Sequence, residues 1–167
     1  WAAAAQVDTW LTYFEYDNLP ARRTAARTKV ARALELAPKS YEARLAQACN
    51  LVRGNGEDTA VTAFAAQAED LLRSLLQEQP NEPRALFALG ILYRNLRRED
   101  EARDAFRRMA RHEAFAATAW SELGWAEYIF GRFTAAEAAA DRSIAILPFV
   151  GNLGLKAEML MWWRGDA

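Results

Sequence analysis

From Trp120 to Arg132 the chain reads WSELGWAEYIFGR, with apolar residues recurring at helical rather than alternating spacing. The stretch reads as helix, although Gly124 within it costs roughly 1 kcal/mol relative to alanine in a helix interior. The same order of apolar and small positions occurs 34 residues earlier: LFALGILY (Leu86–Tyr93) lies over WSELGWAE (Trp120–Glu127), superposing Gly90 on Gly124 and Leu89 on Leu123. Downstream, Ala102 falls over Ala136. A fixed period of about 20 to 50 residues marks stacked supersecondary units. Each unit is expected to be two helices joined by a tight turn, too small to bury its apolar face alone, so that neighbours stack to close a continuous core. Gly124 then has a packing reason, since a very small side chain lets paired helices approach closely, and Ala136 is expected to face it. After the last unit, GNLGLKAEMLMWWR reads as one further helix, in which Met159, Met161, Trp162 and Trp163 form a poor set to show to water.

Trp120, Leu123 and Gly124 in the order W-x-x-L-G, then Ala136 and Pro148 within the same period, resemble the tetratricopeptide repeat. The unit beginning at Pro83 supplies Leu89, Gly90, Tyr93, Ala102 and Phe106 to that pattern, with Leu86 in the tryptophan position and Ala114 in place of the proline. Two earlier units are placed by Pro80 behind Ala68, Leu72 and Leu75, and by Pro38 behind Ala26, Val30 and Ala33; counting back from Pro38 puts Trp10 in the tryptophan position. The resemblance implies an all-α fold, a right-handed α-α superhelix of antiparallel helix pairs forming a single domain over 1–167. Its units are 7–40, 41–82 with an insertion near 52–59, 83–116 and 117–150, and 151–165 is a terminal helix.

At 100° per residue, positions 4, 7, 8 and 11 of each first helix share one face, and positions 2, 5, 9 and 12 share another about 130° away. The first face is core. In the resembled family the second lines a concave groove that holds extended peptides or helices. Here that set comprises Asp8, Leu11, Glu15 and Asn18; Glu42, Leu45, Cys49 and Val52; Arg84, Phe87, Ile91 and Arg94; Thr118, Ser121, Trp125 and Tyr128; and Asn152, Leu155, Met159 and Trp162. Aromatic and arginine side chains supply most binding hot spots, so the partner-binding candidates lie in the C-terminal half: Arg84, Phe87, Ile91, Arg94, Ser121, Trp125, Tyr128, Leu155, Met159 and Trp162. Phe87, Trp125, Tyr128 and Trp162 are the expected apolar anchors, and Arg84 and Arg94 are expected to hold acidic groups. Packing of Trp125 and Tyr128 on the next helix is the competing expectation. Members of the family that bind chaperone C-termini use asparagine at a position occupied here by Glu15, Cys49, Ile91 and Trp125, so that partner is not expected.

Composition narrows the classes. Alanine and leucine carry much of a 52% hydrophobic content, and with five prolines and eight glycines the chain is poor in helix breakers. The balance of 21 basic and 22 acidic residues, net −1, creates no field that would draw nucleic acid or an anionic membrane. Arginine or glutamate interrupts every apolar run before membrane-spanning length. The arginine-rich stretch with Arg97, Arg98, Arg103, Arg107, Arg108 and Arg111 is interleaved with Glu99, Glu101 and Asp104, and reads as a solvated, self-paired face. Cys49 stands alone, which rules out an internal disulfide and points toward the cytoplasm, with the periplasm left open. It is expected to be a buried thiol. His112 reads as a helix-end residue with no second ligand at metal spacing, and RGNGED as a turn rather than a phosphate loop. No catalytic, metal or cofactor site is expected.

The reading is a non-enzymatic interaction module whose partner is a protein or peptide, with no nucleic acid and no membrane. The alternative is a regulatory or self-assembly segment of a larger bacterial polypeptide, such as a kinase, transcriptional regulator or secretion-apparatus protein, and self-association through the C-terminal helix stays open. The opening WAAAAQ and closing WWRGDA suggest a fragment or processed product.

Overall fold

The computed structural model describes residues 1–4, 20–53 and 60–165. Trp10, the candidate groove positions Asp8, Leu11, Glu15 and Asn18, and most of RGNGED lie outside the described residues. Eight helices have bounds within them: α1 (Pro20–Leu36), α2 (Tyr41–Arg53), α3 (Ala60–Glu78), α4 (Pro83–Asn95), α5 (Glu99–Met109), α6 (Glu113–Ile129), α7 (Phe133–Ile146) and α8 (Val150–Arg164). Among the described residues there is no strand.

Local chemistry sets the boundaries. Pro83 opens α4 where its missing N–H is not needed, and the Glu82 carboxylate caps the turn by accepting from the Arg84 amide at 3.2 Å. Helix α5 begins with Glu99, Asp100 and Glu101 and ends with Arg107 and Arg108, each charge set matched to its end of the helix dipole. Helices α4 and α6 stop in the same way. The amides of Arg97 and Arg98 return to the carbonyls of Arg94 and Tyr93, and those of Gly131 and Arg132 to Tyr128 and Glu127. Each is a left-handed helix cap, with φ of 59° at Arg97 and 76° at Gly131. His112 is the N-cap of α6, at the start of a helix rather than its C-terminal end.

The contacts divide the chain into two compact units, Trp1–Pro80 and Asn81–Ala167, where the sequence suggests one domain. In the first, α2 packs against α1 and α3. Val30 and Ala46 form a core cluster with Leu34 against it, and Leu45, Leu72 and Leu75 are fully buried. Arg44 grips Glu78 with two hydrogen bonds of 2.6 and 2.7 Å, tying α2 to the end of α3. Cys49 is half-buried, not enclosed as expected.

In the second unit α4 pairs with α5 and α6 with α7, while α8 lies against α7 and touches α6. Glycine makes both pairings possible, by different means. A Cβ on Gly90 would stand 2.5 Å from Cε1 of Phe106, whose ring is fully buried. A Cβ on Gly124 would stand 3.2 Å from the Ala136 carbonyl oxygen and 3.3 Å from the Ala140 nitrogen, so Ala136 does face Gly124, through its backbone. Trp120 completes this seam with the Arg142 guanidinium 4.6 Å above its ring. The Ser143 hydroxyl, fully buried, donates to the Ala117 carbonyl at 2.7 Å.

Candidate interaction face

The candidates on α4, α6 and α8 all belong to the second unit, and they differ in depth. Phe87, Ile91 and Met159 are 6%, 3% and 3% exposed, so their side chains are interior packing, not contact surface. This corrects the expectation of direct contact for them: helical phase places a residue on a face but does not say what covers it. Trp125, Tyr128 and Leu155 are half-buried and pack on the cluster of Ala136, Ala140 and Met159. Ser121 is half-buried, and Trp162 is 69% exposed.

The aromatic rings form a row. Trp125 stacks on Tyr128 with centroids 5.5 Å apart and planes 17° apart, Tyr128 meets Phe133 edge-on at 5.6 Å, and Phe133 stacks on Trp163 at 5.5 Å. The row ties α6, α7 and α8 together, so Trp125 and Tyr128 have a packing role, as the competing expectation held. The apolar set on α8 divides accordingly: Met159 and Trp163 turn inward, while Met161 and Trp162 remain at the surface. Buried Asn152 is satisfied by donating to the Leu147 carbonyl at 3.0 Å.

The two arginines of this face have partners within the chain. Arg94 donates to Glu122 at 2.8 Å in a largely desolvated pair that links α4 to α6. Arg84 donates through Nε to Glu82 at 2.6 Å.

A second ionic cluster joins the helix pairs and was not foreseen. Glu127, buried, takes a 2.7 Å hydrogen bond from Nε of Arg103 on α5 and another of 2.7 Å from Nε of Arg132 in the α6–α7 turn. Arg132 also reaches Glu99, and Arg103 donates to Asp100 at 2.7 Å. Burial alone would raise the Glu127 pKa, but the hydrogen bonds and charges of the two guanidiniums outweigh it and hold the pKa below the usual carboxylate range. The sequence signal was a carboxylate in a position the resembled family gives to tyrosine, filled by Tyr93 one period earlier. The arginine-rich stretch does pair with itself through Arg98 and Glu101, Arg103 and Asp100, and Arg108 and Asp104. Arg97, however, donates to the Ile129 carbonyl at 2.8 Å and caps the end of α6.

Among the described residues no helix is long and apolar enough to cross a membrane, and no three metal-ligating side chains are grouped. The fold is thus that of an all-α protein built from stacked antiparallel helix pairs, with seams closed by glycine and alanine. The tetratricopeptide-repeat family matches residues 62–115 and 100–150, which together span more than half of the chain, and the chain belongs to that family. No curated protein and no solved structure matches. Tetratricopeptide repeats are non-catalytic units that generally mediate protein–protein interaction, typically by binding proteins or peptides.

Proposed function

We propose that the second unit holds a peptide or partner helix across the face shared by α4, α6 and α8, the surface that forms the groove in repeat proteins of this family. On this reading the units are 7–40, 41–82, 83–116 and 117–150, with 151–165 as a terminal helix. Trp162, Trp125, Tyr128 and Leu155 are the apolar contacts, with Ser121 and Arg84 at the margin and Phe87, Ile91 and Met159 as packing beneath. The observation that carries the reading is Trp162: a tryptophan 69% exposed, two turns along α8 from half-buried Leu155, leaves a large apolar ring at the surface for a partner to cover. The test is calorimetry with a bound peptide. Because Trp162 is mostly exposed, Trp162→Ala should weaken binding by at least about 1 kcal/mol while changing the melting temperature little. Unchanged affinity would remove the face from the account.

One further observation favours the alternative of a self-assembling or regulatory segment in a larger polypeptide. Ile146, Leu147, Phe149, Leu153 and Met161 are all exposed along the α7–α8 connection and the outer side of α8. Exposed apolar residues grouped in this way mark association surfaces. On this reading light scattering should show mass rising with concentration, and Leu153→Glu should return the chain to monomer. A monomer at every concentration would dismiss it.

A further inference from the structure

Resting on the proposed interaction face, the charges around it define the partner it would take. Sequence position gives Arg84 and Arg94 to a partner's acidic groups, but the structure commits both arginines internally. Drawing Arg94 away to a partner carboxylate would strand Glu122, whose side chain lies almost out of water beside it, and removing one member of such a pair leaves an uncompensated buried charge. Arg84 holds the carboxylate oxygen of Glu82 that also caps the first turn of α4, so releasing Arg84 would loosen the cap. Among the described side chains, an exposed charge beside the exposed aromatic has the opposite sign. Glu158 is exposed one turn before Trp162, and residues four apart on a helix are surface neighbours. A cation seated at Glu158 also comes within reach of the indole face of Trp162, which attracts lysine and arginine.

We infer that this face recognises an apolar peptide segment carrying a basic side chain, and not an acidic one. The segment's apolar side chains cover Trp162 and Leu155, and its lysine or arginine pairs with Glu158.

The experiment is selection of a phage-displayed random dodecapeptide library on the whole chain, followed by titration of the enriched peptides in synthetic form. The expected peptides are apolar with one or two lysines or arginines, and their affinity falls moderately as salt rises from roughly 50 to 500 mM. Trp162→Ser should weaken them about fivefold or more. Glu158→Lys, at an exposed site, should weaken them about threefold or more. Acidic peptides that bind Glu158→Lys more tightly yet still lose affinity in Trp162→Ser would overturn the inference and leave the interaction face standing. Peptides that bind both variants as well as the parent chain would overturn the face and the inference together, as would a selection that enriches nothing.

Discussion

The α4–α5 and α6–α7 pairs stand 34 residues apart in the same register, yet each is closed by a different chemistry. In the first pair Gly90 makes room for the Phe106 ring, Tyr93 follows it on the same helix, and Arg97 takes the left-handed turn position. In the second, Gly124 brings two backbones together over an alanine-lined helix, Glu127 stands where Tyr93 stood, and Gly131 makes the turn. The difference teaches that the period fixes where small, apolar and turn residues fall, while neighbouring pairs remain free to fill those places with rings or with ions. The two solutions also meet. Arg103, on the second helix of the ring-sealed pair, is one of the two cations that hold Glu127 in the next, and Arg97 spends its side chain on the Ile129 carbonyl at the end of α6. Conformational strain in one pair's turn is thereby offset by a cap on its neighbour.

The largest effect should come from removing the ionic substitute for tyrosine. Glu127→Ala leaves Arg103 and Arg132 facing one another without their carboxylate, and buried pairs broken on one side cost about 3–5 kcal/mol. Since Arg132 is 39% exposed and partly screened, a loss of about 2–3 kcal/mol in chemical denaturation is expected. The sign with pH is definite. The folded pKa of Glu127 is depressed, so its stabilisation is full above the unfolded carboxylate value near about 4.3 and is lost as pH falls through the lower folded value. Glu127→Gln should therefore lose less stability than the parent chain on acidification below about pH 5, and equal losses would show that the cluster does not couple to folding.

Next come the two glycines. Gly90→Ala drives a methyl against a fully buried ring that must shift to admit it, so overpacking of about 1–3 kcal/mol should outweigh the helix-propensity gain of roughly 1 kcal/mol. Gly124→Ala asks α7 to withdraw only a few tenths of an ångström, and the two effects should nearly cancel. Thermal melts of both variants test the contrast. Equal shifts, or a larger loss at Gly124, would mean that the seams close alike. The smallest effects belong to the turns. Gly131→Ala should cost about 1 kcal/mol for the left-handed conformation, whereas Arg97→Gly should be close to neutral, because the relief of strain is cancelled by losing the bond to Ile129.

Much of the fold was legible because it depends on residues whose small size or ring shape is required at a fixed spacing. Gly90 and Gly124, with Phe106 opposite the first and Ala136 opposite the second, gave the helix pairs, and the facing of Gly124 by Ala136 followed from sequence alone. The interaction face was legible only in direction. Angular position put Phe87, Ile91, Trp125, Met159 and Trp162 on one side, but depth depends on how neighbouring helices seat, and the structure puts Met159 inside and Trp162 outside on the same helix. Charge was least legible. Arg84 and Arg94 look available in a list of positions, yet Glu82 lies two residues from the first and Glu122 lies 28 from the second. A long-range pair of that kind has no sequence signature unless the period is used to bring the two helices together.

The most direct test of the central claim is the indole N–H resonance of Trp162, assigned by its loss in Trp162→Phe and followed while a selected peptide is titrated into the chain. The account predicts that this resonance shifts with the same saturation curve as peptide binding and becomes protected from solvent exchange. A peptide that saturates the chain while the Trp162 resonance neither moves nor gains protection would contradict it.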